Sequence, residues 1–343
     1  MKALVLEQYN LLAYKDVPEP QVGPENVLIE VKACGICGSD VHGMDGSTGR
    51  RLPPIIMGHE AAGIIAATGP KVSGWKKGDR VTFDSTVSCG NCHFCCKGLT
   101  NLCDNRKVLG VSCEEYRCDG AFAEYVAVPA RIVYRLPEAL SFEQATFTEP
   151  LSVAVHAVNR TPITKNDTAV VVGAGMVGLM VLQALRAKGI AKIVAVDIDK
   201  SRLELAQKLG ADEALKADEC NVKQEVLKLT SGLGADISFE VVGLQETVTT
   251  AEAVLRKGGS LTLIGNFCPT VQWPLQSVVT REISVFGSYI SRGEYPDCLD
   301  MLAGGKVRVD ALISATVPLR DGATWFKRLY DKEAGLYKVI LVP

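Results

Sequence analysis

The spacing of apolar positions changes character near residue 150. Before it, short apolar runs such as "KALVLE", "NVLIEVKA", "AAGIIAATG", "GDRVTF" and "AFAEYVAVP" are separated by glycine and proline. That punctuation predicts short strands joined by turns, an all-β or α+β region. After it, continuous apolar strands alternate with helical periods. "TAVVVGAG" reads as a buried strand, and "MVGLMVLQALRAKG" reads as an apolar helix ended by Gly189. "AKIVAVD" is again a strand and "KSRLELAQKLG" an amphipathic helix. "ADISFEVVG", a helix over "TVTTAEAVLRKGG", and the strands "SLTLIG" and "EISVFGSY" continue the series. Such alternation predicts an α/β fold with a doubly wound parallel sheet. The tail, "YPDCLDMLAGGKVRVDALISATVPL" to "KVILVP", returns to mixed helix and short strands and is expected to rejoin the first domain. The division expected is 1–150, 151–287 and 288–343, with the first domain discontinuous.

A length of 343 residues suits two domains, and 47% apolar residues suffice for a large core. Lys and Arg number 37 against 39 Asp and Glu, a net charge of −2, so no nucleic acid or membrane surface is implied as partner. "MKALVLEQYN" lacks a basic segment followed by an apolar core, which predicts a cytoplasmic protein. The apolar stretch 169–185 approaches the length of a membrane span, but its three glycines have a better explanation given below. Twelve cysteines are many for a reducing compartment, where clustered thiols are more often metal ligands than disulfides. Most of them lie before residue 119, which assigns metal chemistry to the first domain.

The segment "VSCGNCHFCCKGLTNLC" places Cys89, Cys92, Cys95 and Cys103 at C-x2-C-x2-C-x7-C spacing. Two-residue gaps let successive thiolates turn inward around one ion, and a ligand from the following loop closes a tetrahedron. Four thiolates leave no open position, so this is a structural zinc site. An iron–sulfur cluster is the competing reading, and nothing else in the chain suggests electron transfer. The catalyst must lie elsewhere. "ACGICGSDVHG" and "GHEAAG" supply Cys37, Ser39, Asp40, His42, His59 and Glu60; "FTEPLSVAVHAV" adds Glu149 and His156. A catalytic zinc needs three protein ligands and one open position, and a thiolate, an imidazole and a carboxylate suffice.

"VVVGAGMVGL" sets Gly173, Gly175 and Gly178 at G-x-G-x-x-G spacing between a strand and a helix. The first glycine allows the turn, the second admits a pyrophosphate, and the third lets helix and strand approach. The helix N-terminus then faces the phosphates. Asp197 closes the next strand, about twenty residues on, as a dinucleotide fingerprint requires. Its carboxylate can bind the ribose hydroxyls and repels a 2′-phosphate, which favours NAD over NADP. Arg202, five residues later, pulls the other way. These glycines displace the membrane-span reading.

Together these motifs resemble the zinc-dependent medium-chain dehydrogenases, and within them the polyol (sorbitol) dehydrogenase branch. The resemblance runs along essentially the whole chain. It implies a Rossmann domain plus a discontinuous, GroES-like, β-rich catalytic domain, two zinc ions per chain, NAD, and a homodimer or homotetramer. It implies Cys37 and His59 as catalytic zinc ligands, with Glu60 and Glu149 as alternative third ligands. Asp40 is implied to orient His59, Ser39 and His42 to relay the substrate proton, and Val177 to back the nicotinamide. Polyol dehydrogenases of this branch carry an Arg-Tyr pair that contacts substrate where this chain has Ile290-Ser291, followed by Arg292. Galactitol-phosphate dehydrogenases are similar in that segment. Arg50 and Arg51 in "STGRRLPP" lie between the Ser39–His42 relay and His59, at the expected cleft mouth, where with Arg292 they can bind an anionic group; the substrate expected is a polyol, free or, by slight preference, phosphorylated. The expected activity is oxidation of a secondary alcohol of a sugar alcohol to the ketone by hydride transfer, in a cleft between the domains. Threonine 3-dehydrogenase and diol dehydrogenase are the alternatives among zinc enzymes. A zinc-free enone reductase is opposed by both cysteine sets. A non-catalytic NAD-binding protein would need neither an open metal site nor a relay.

Overall fold

Every second side chain of the strand Asn26–Gly35 is buried until its last residues, the alternation of a sheet with one face on a core. In the computed structural model, which describes residues 1–343, this strand organises the first of two compact units. That unit comprises Met1–Glu149, Tyr295–Gly304 and Val309–Pro343; the second comprises Pro150–Glu294 and Gly305–Arg308. Residues 288–294, grouped with the tail on sequence grounds, lie in the second unit, where Glu294 pairs with His156 at 2.7 Å.

In the first unit, Asn26–Gly35 pairs antiparallel with Glu60–Thr68, Tyr125–Pro129 and Lys338–Val342. Arg80–Phe83 and Val133–Arg135 extend the sheet on one side, and Ile313–Pro318 runs parallel to Lys338–Val342 on the other. Leu4, Ile29, Ile65, Phe83 and Leu341 fill the core below it, where Phe122 meets Phe326 edge-on at 5.6 Å between ring centres. The register sets Gly35 opposite both Glu60 and Ile340. Chain segments some three hundred residues apart thus converge on one end of the sheet, next to the short helix Gly38–Met44.

The second unit is a six-stranded, all-parallel sheet. Its order is Glu213–Lys216, Lys192–Asp197, Thr168–Val172, Ala235–Glu240, Leu255–Leu263 and Ser284–Gly287. The strand Thr168–Val172 is buried from its second residue on, as a strand covered on both faces must be. Strand order reverses between it and Ala235–Glu240, the position at which such sheets bind nucleotides. The helix expected over "TVTTAEAVLRKGG" ends early. It spans Gln245–Ala253, and the strand begins at Leu255. Pairing slips between Ala235↔Leu255 and Ile237↔Ser260, so the Gly258-Gly259 pair forms a bulge within the strand rather than a helix end.

Candidate metal centres and nucleotide site

Ligand atoms of Cys37, His59 and Glu60 lie within 4.8 Å of one another. Cys37 caps the helix Gly38–Met44, and Glu60 opens the strand Glu60–Thr68 directly after His59. His59 Nδ1 faces Asp40 Oδ2 at 3.5 Å, leaving Nε2 as the nitrogen free to bind a metal. Asp40 is fully buried, and its other oxygen accepts a hydrogen bond from Arg51 Nη2 at 2.9 Å. Burial would raise the Asp40 carboxyl, but His59 and Arg51 overcome it and hold it below the usual range. Burial opposes a charge on His59, and the Asp40 carboxylate more than offsets it.

Arg51 is where the structure departs most from expectation. Its guanidinium is buried between Asp40 and the Arg50 carbonyl, at 2.9 Å from each, so it is committed internally and does not stand ready for a substrate anion. Arg50 is exposed. The two arginines are adjacent in sequence and opposite in environment. Of the two residues expected to relay a proton, Ser39 is exposed and His42 half-buried.

Glu60 is also held from a direction the sequence did not disclose. Lys338 Nζ donates to Glu60 Oε2 at 2.5 Å and to the Ile36 carbonyl at 3.2 Å, with Lys338 and Glu60 both buried. Lys338 stays charged because Glu60 outweighs the burial that would pull its pKa down. A Cβ on Gly35 would stand 2.5 Å from Glu60 Oε2, so the glycine opposite Glu60 makes room for the carboxylate. Glu149 lies outside the tight three-residue cluster but within electrostatic reach of His59 and Glu60. Burial pushes its carboxyl up to about 7; Glu60 and Asp84 add to this, while His59 and Lys338 oppose it.

The second cluster brings Cys89, Cys92, Cys95 and Cys103 within the same 4.8 Å limit. Sulfurs bound to one tetrahedral zinc at ~2.3 Å stand ~3.8 Å apart. Cys89 and Cys95 Sγ are 4.0 Å apart. Backbone amides point inward as well. Cys89 N–H donates to Cys103 Sγ at 3.2 Å and Cys92 N–H to Cys89 Sγ at 3.3 Å. Amide donors, that of Asn91 foremost, hold the Cys89 thiol down at about 6. Cys95 is pushed up to about 12, by burial first and then by the sulfurs of Cys92, Cys103 and Cys89. Four thiolates this close repel unless a cation sits among them, so the donor set fits zinc. Cys96 Sγ turns away to the Asn91 carbonyl.

In the second unit, Gly173 (φ +103°) turns the chain out of its strand, and Gly175 caps the helix Met176–Ala187. A Cβ on Gly178 would sit 1.8 Å from the Gly173 carbonyl, so only glycine lets the helix start this close to the strand end. A Cβ on Gly175 would meet nothing within 4 Å, which leaves open space over the loop. Val177 is half-buried in the same first turn. Asp197 Oδ2 accepts the Ala174 N–H at 2.7 Å, and Oδ1 accepts those of Ile198 and Asp199. Arg202 approaches Asp197 to 3.9 Å. The glycine loop and the ribose candidate are thus tied together, a cradle that fits a dinucleotide. The stretch 169–185 is strand, turn and helix, and no helix of the chain is long and apolar enough to cross a membrane.

Residues 23–138 match the alcohol dehydrogenase GroES-like domain family, and residues 176–304 match the zinc-binding dehydrogenase family. The chain is 33% identical to sorbitol dehydrogenase of Bacillus subtilis, across 100% of this chain and 97% of that protein. Among solved structures, a zinc-binding dehydrogenase of Sinorhizobium meliloti bound to NADP superposes with TM-score 0.93 at 30% identity, covering 100% of this chain and 99% of that one. Galactitol-1-phosphate dehydrogenase of Escherichia coli gives TM-score 0.92 at 26% identity, with 100% of both chains covered.

Proposed function

The chain belongs to the zinc-binding alcohol dehydrogenase family, and from that premise we propose that it oxidises a secondary alcohol of a sugar alcohol to the ketone, with NAD as acceptor. The observation that carries this reading is the cluster of Cys37, His59 and Glu60, one thiolate, one imidazole and one carboxylate converging within 4.8 Å. That donor set suits a metal with an open position, which a purely structural site would not leave.

Cys37, His59 and Glu60 would hold the catalytic zinc, with Glu149 beside them as an alternative or exchanging carboxylate. Zinc at this place supplies Lewis acidity that lowers the pKa of an alcohol hydroxyl by several units. Asp40 fixes the ring of His59, and Arg51 fixes Asp40, so imidazole and carboxylate keep one orientation. Lys338 restrains Glu60 from the opposite side. Ser39 and His42 take the hydroxyl proton and pass it to solvent. The nicotinamide cofactor would supply the acceptor for the hydride of the carbinol carbon, two electrons with one proton. Gly173, Gly175 and Gly178 with the helix N-terminus would receive the pyrophosphate, Val177 would back the nicotinamide ring, and Asp197 would take the ribose hydroxyls. The buried Asp197 carboxylate disfavours a 2′-phosphate, which supports NAD over NADP although Arg202 stands near it. Cys89, Cys92, Cys95 and Cys103 would hold a structural zinc that stiffens its loop.

For the substrate, likeness to both a sorbitol and a galactitol-1-phosphate dehydrogenase supports a polyol, free or phosphorylated. Arg50 and Arg292 are the arginines we assign to anionic recognition. The protein is also proposed to act as a cytoplasmic homodimer or homotetramer. The exposed Leu275, Val279 and Val285, at and beside the edge strand of the parallel sheet, support self-association. An NAD-coupled screen of polyols, polyol phosphates, diols and threonine tests the reading. Turnover confined to threonine, or none with any alcohol, would overturn it.

A further inference from the structure

The helix Thr148–Arg160 grips the segment after the last parallel strand at two points. Arg160 Nε donates to the Gly287 carbonyl at 2.8 Å, and His156 Nδ1 meets Glu294 Oε1 at 2.7 Å. Residues 156 and 160 are one turn apart and share a helix face. The second grip is buried, with His156 1% and Glu294 7% exposed. A carboxylate only accepts, so His156 Nδ1 carries the proton. The other oxygen of Glu294, Oε2, accepts the backbone N–H of Arg292. One carboxylate therefore ties the helix to the amide of Arg292, and its acid is held below the usual range, burial opposing and the His156 and Arg292 donors prevailing.

Between the two grips the backbone is unusual. Ile290 has φ +45° and Gly293 φ +82°, both left-handed. For a β-branched residue that region costs energy, roughly 1–3 kcal/mol, and it persists only where surrounding contacts over-determine it. Ser291 is buried although polar. The segment is thus a strap, fastened at both ends to one helix, whose strained middle carries Arg292.

We infer that His156 and Glu294 are positioning residues that set substrate specificity by fixing the 288–293 strap and the direction of Arg292. This rests on the reading above in which Arg292 contacts the substrate; the pinning itself does not.

The test uses the full-length enzyme, Glu294→Ala, Glu294→Gln and Arg292→Ala, with the polyol of highest kcat/KM from the screen. Glutamine can accept from Arg292 and donate to His156 once the ring tautomerises, so it should rescue. Glu294→Ala should raise the polyol KM by about ten-fold or more, more than it lowers kcat, and leave the NAD KM and zinc content within about two-fold. Arg292→Ala should weaken polyol binding in the wild type and add little in the Glu294→Ala background, since the two act through one contact. Hydrogen exchange of residues 288–293 should accelerate in Glu294→Ala and not in Glu294→Gln. Unchanged exchange would overturn the pinning. If Arg292→Ala is silent in the wild type while exchange still accelerates, the substrate role of Arg292 fails, and with it the specificity claim. If Glu294→Ala does not fold, His156→Leu removes the same buried grip from the helix side, and the same exchange and KM comparison decides.

Discussion

Arg51 Nη2 lies 2.9 Å from Asp40 Oδ1, and both side chains are buried. The same Asp40 faces His59 Nδ1. An arginine that sequence spacing offers as a substrate contact is thus a counter-charge two contacts removed from the candidate metal ligand His59. Removing one partner of a buried pair strands the other, which costs roughly 3–5 kcal/mol. Arg51→Ala should therefore lower thermal stability and zinc affinity, whereas Arg50→Ala should do neither. Chemical denaturation with metal titration of both variants checks this; equal behaviour of the two would contradict the assignment of Arg51.

Arg50 and Arg292 are the arginines proposed to bind phosphate. The kcat/KM ratio of galactitol-1-phosphate over galactitol should exceed one in the wild type and fall by about ten-fold or more in either alanine variant, the loss of a charge-assisted hydrogen bond. A ratio below one, or one that neither substitution moves, leaves the free polyol as substrate.

Cys92→Ser should damage the fold more than the chemistry. Breaking a closed thiolate site releases its loop, because metal binding contributes directly to folding. Expected are a lower melting temperature and about one zinc lost per chain, with near-normal turnover per folded molecule. Unaltered melting and zinc content would count against the four-sulfur site.

Glu149 supplies a pH prediction for the metal-stripped chain. Its carboxyl rises from an ordinary 4.5 to about 7 in the folded state. Across that window the folded chain binds the proton more tightly than the unfolded one, so stability falls as pH rises, by up to about 3 kcal/mol. Glu149→Gln should abolish the fall, and restoring zinc should reduce it. Melting curves of metal-free wild type and variant that run parallel from about pH 5 to 7.5 would contradict the burial of this carboxyl.

What the sequence disclosed was local. The cysteine spacing, the glycine triplet with Asp197 and the Cys37–Asp40 segment each lie within a few turns of chain, where spacing alone dictates geometry. Lys338 escaped because it meets Glu60 across 278 residues, through a strand register that no periodicity reveals. His156 reads in the sequence as a further candidate metal donor beside Glu149, because its partner Glu294 is 138 residues on. Arg50 and Arg51 read alike because adjacent residues differ in burial only once the fold decides which one turns inward. The run "LRKGG" follows a helical pattern, but Leu255 pairs with Ala235 and a bulge carries the chain on to Ser260 opposite Ile237, which makes it strand.

Asp197→Ala should raise the NAD KM and relax discrimination against NADP while sparing both zinc ions; unmoved cofactor preference would remove Asp197 from the ribose site.

The central claim is that Cys37, His59 and Glu60 hold the metal on which turnover depends, independently of the cysteine loop and the nucleotide fold. His59→Ala tests it most directly, with zinc content, NAD binding and polyol turnover measured on one preparation. The account predicts a fall from about two zinc ions per chain to about one, unchanged NAD affinity and no detectable turnover. A folded variant that keeps both ions and oxidises polyol at the wild-type rate would contradict it.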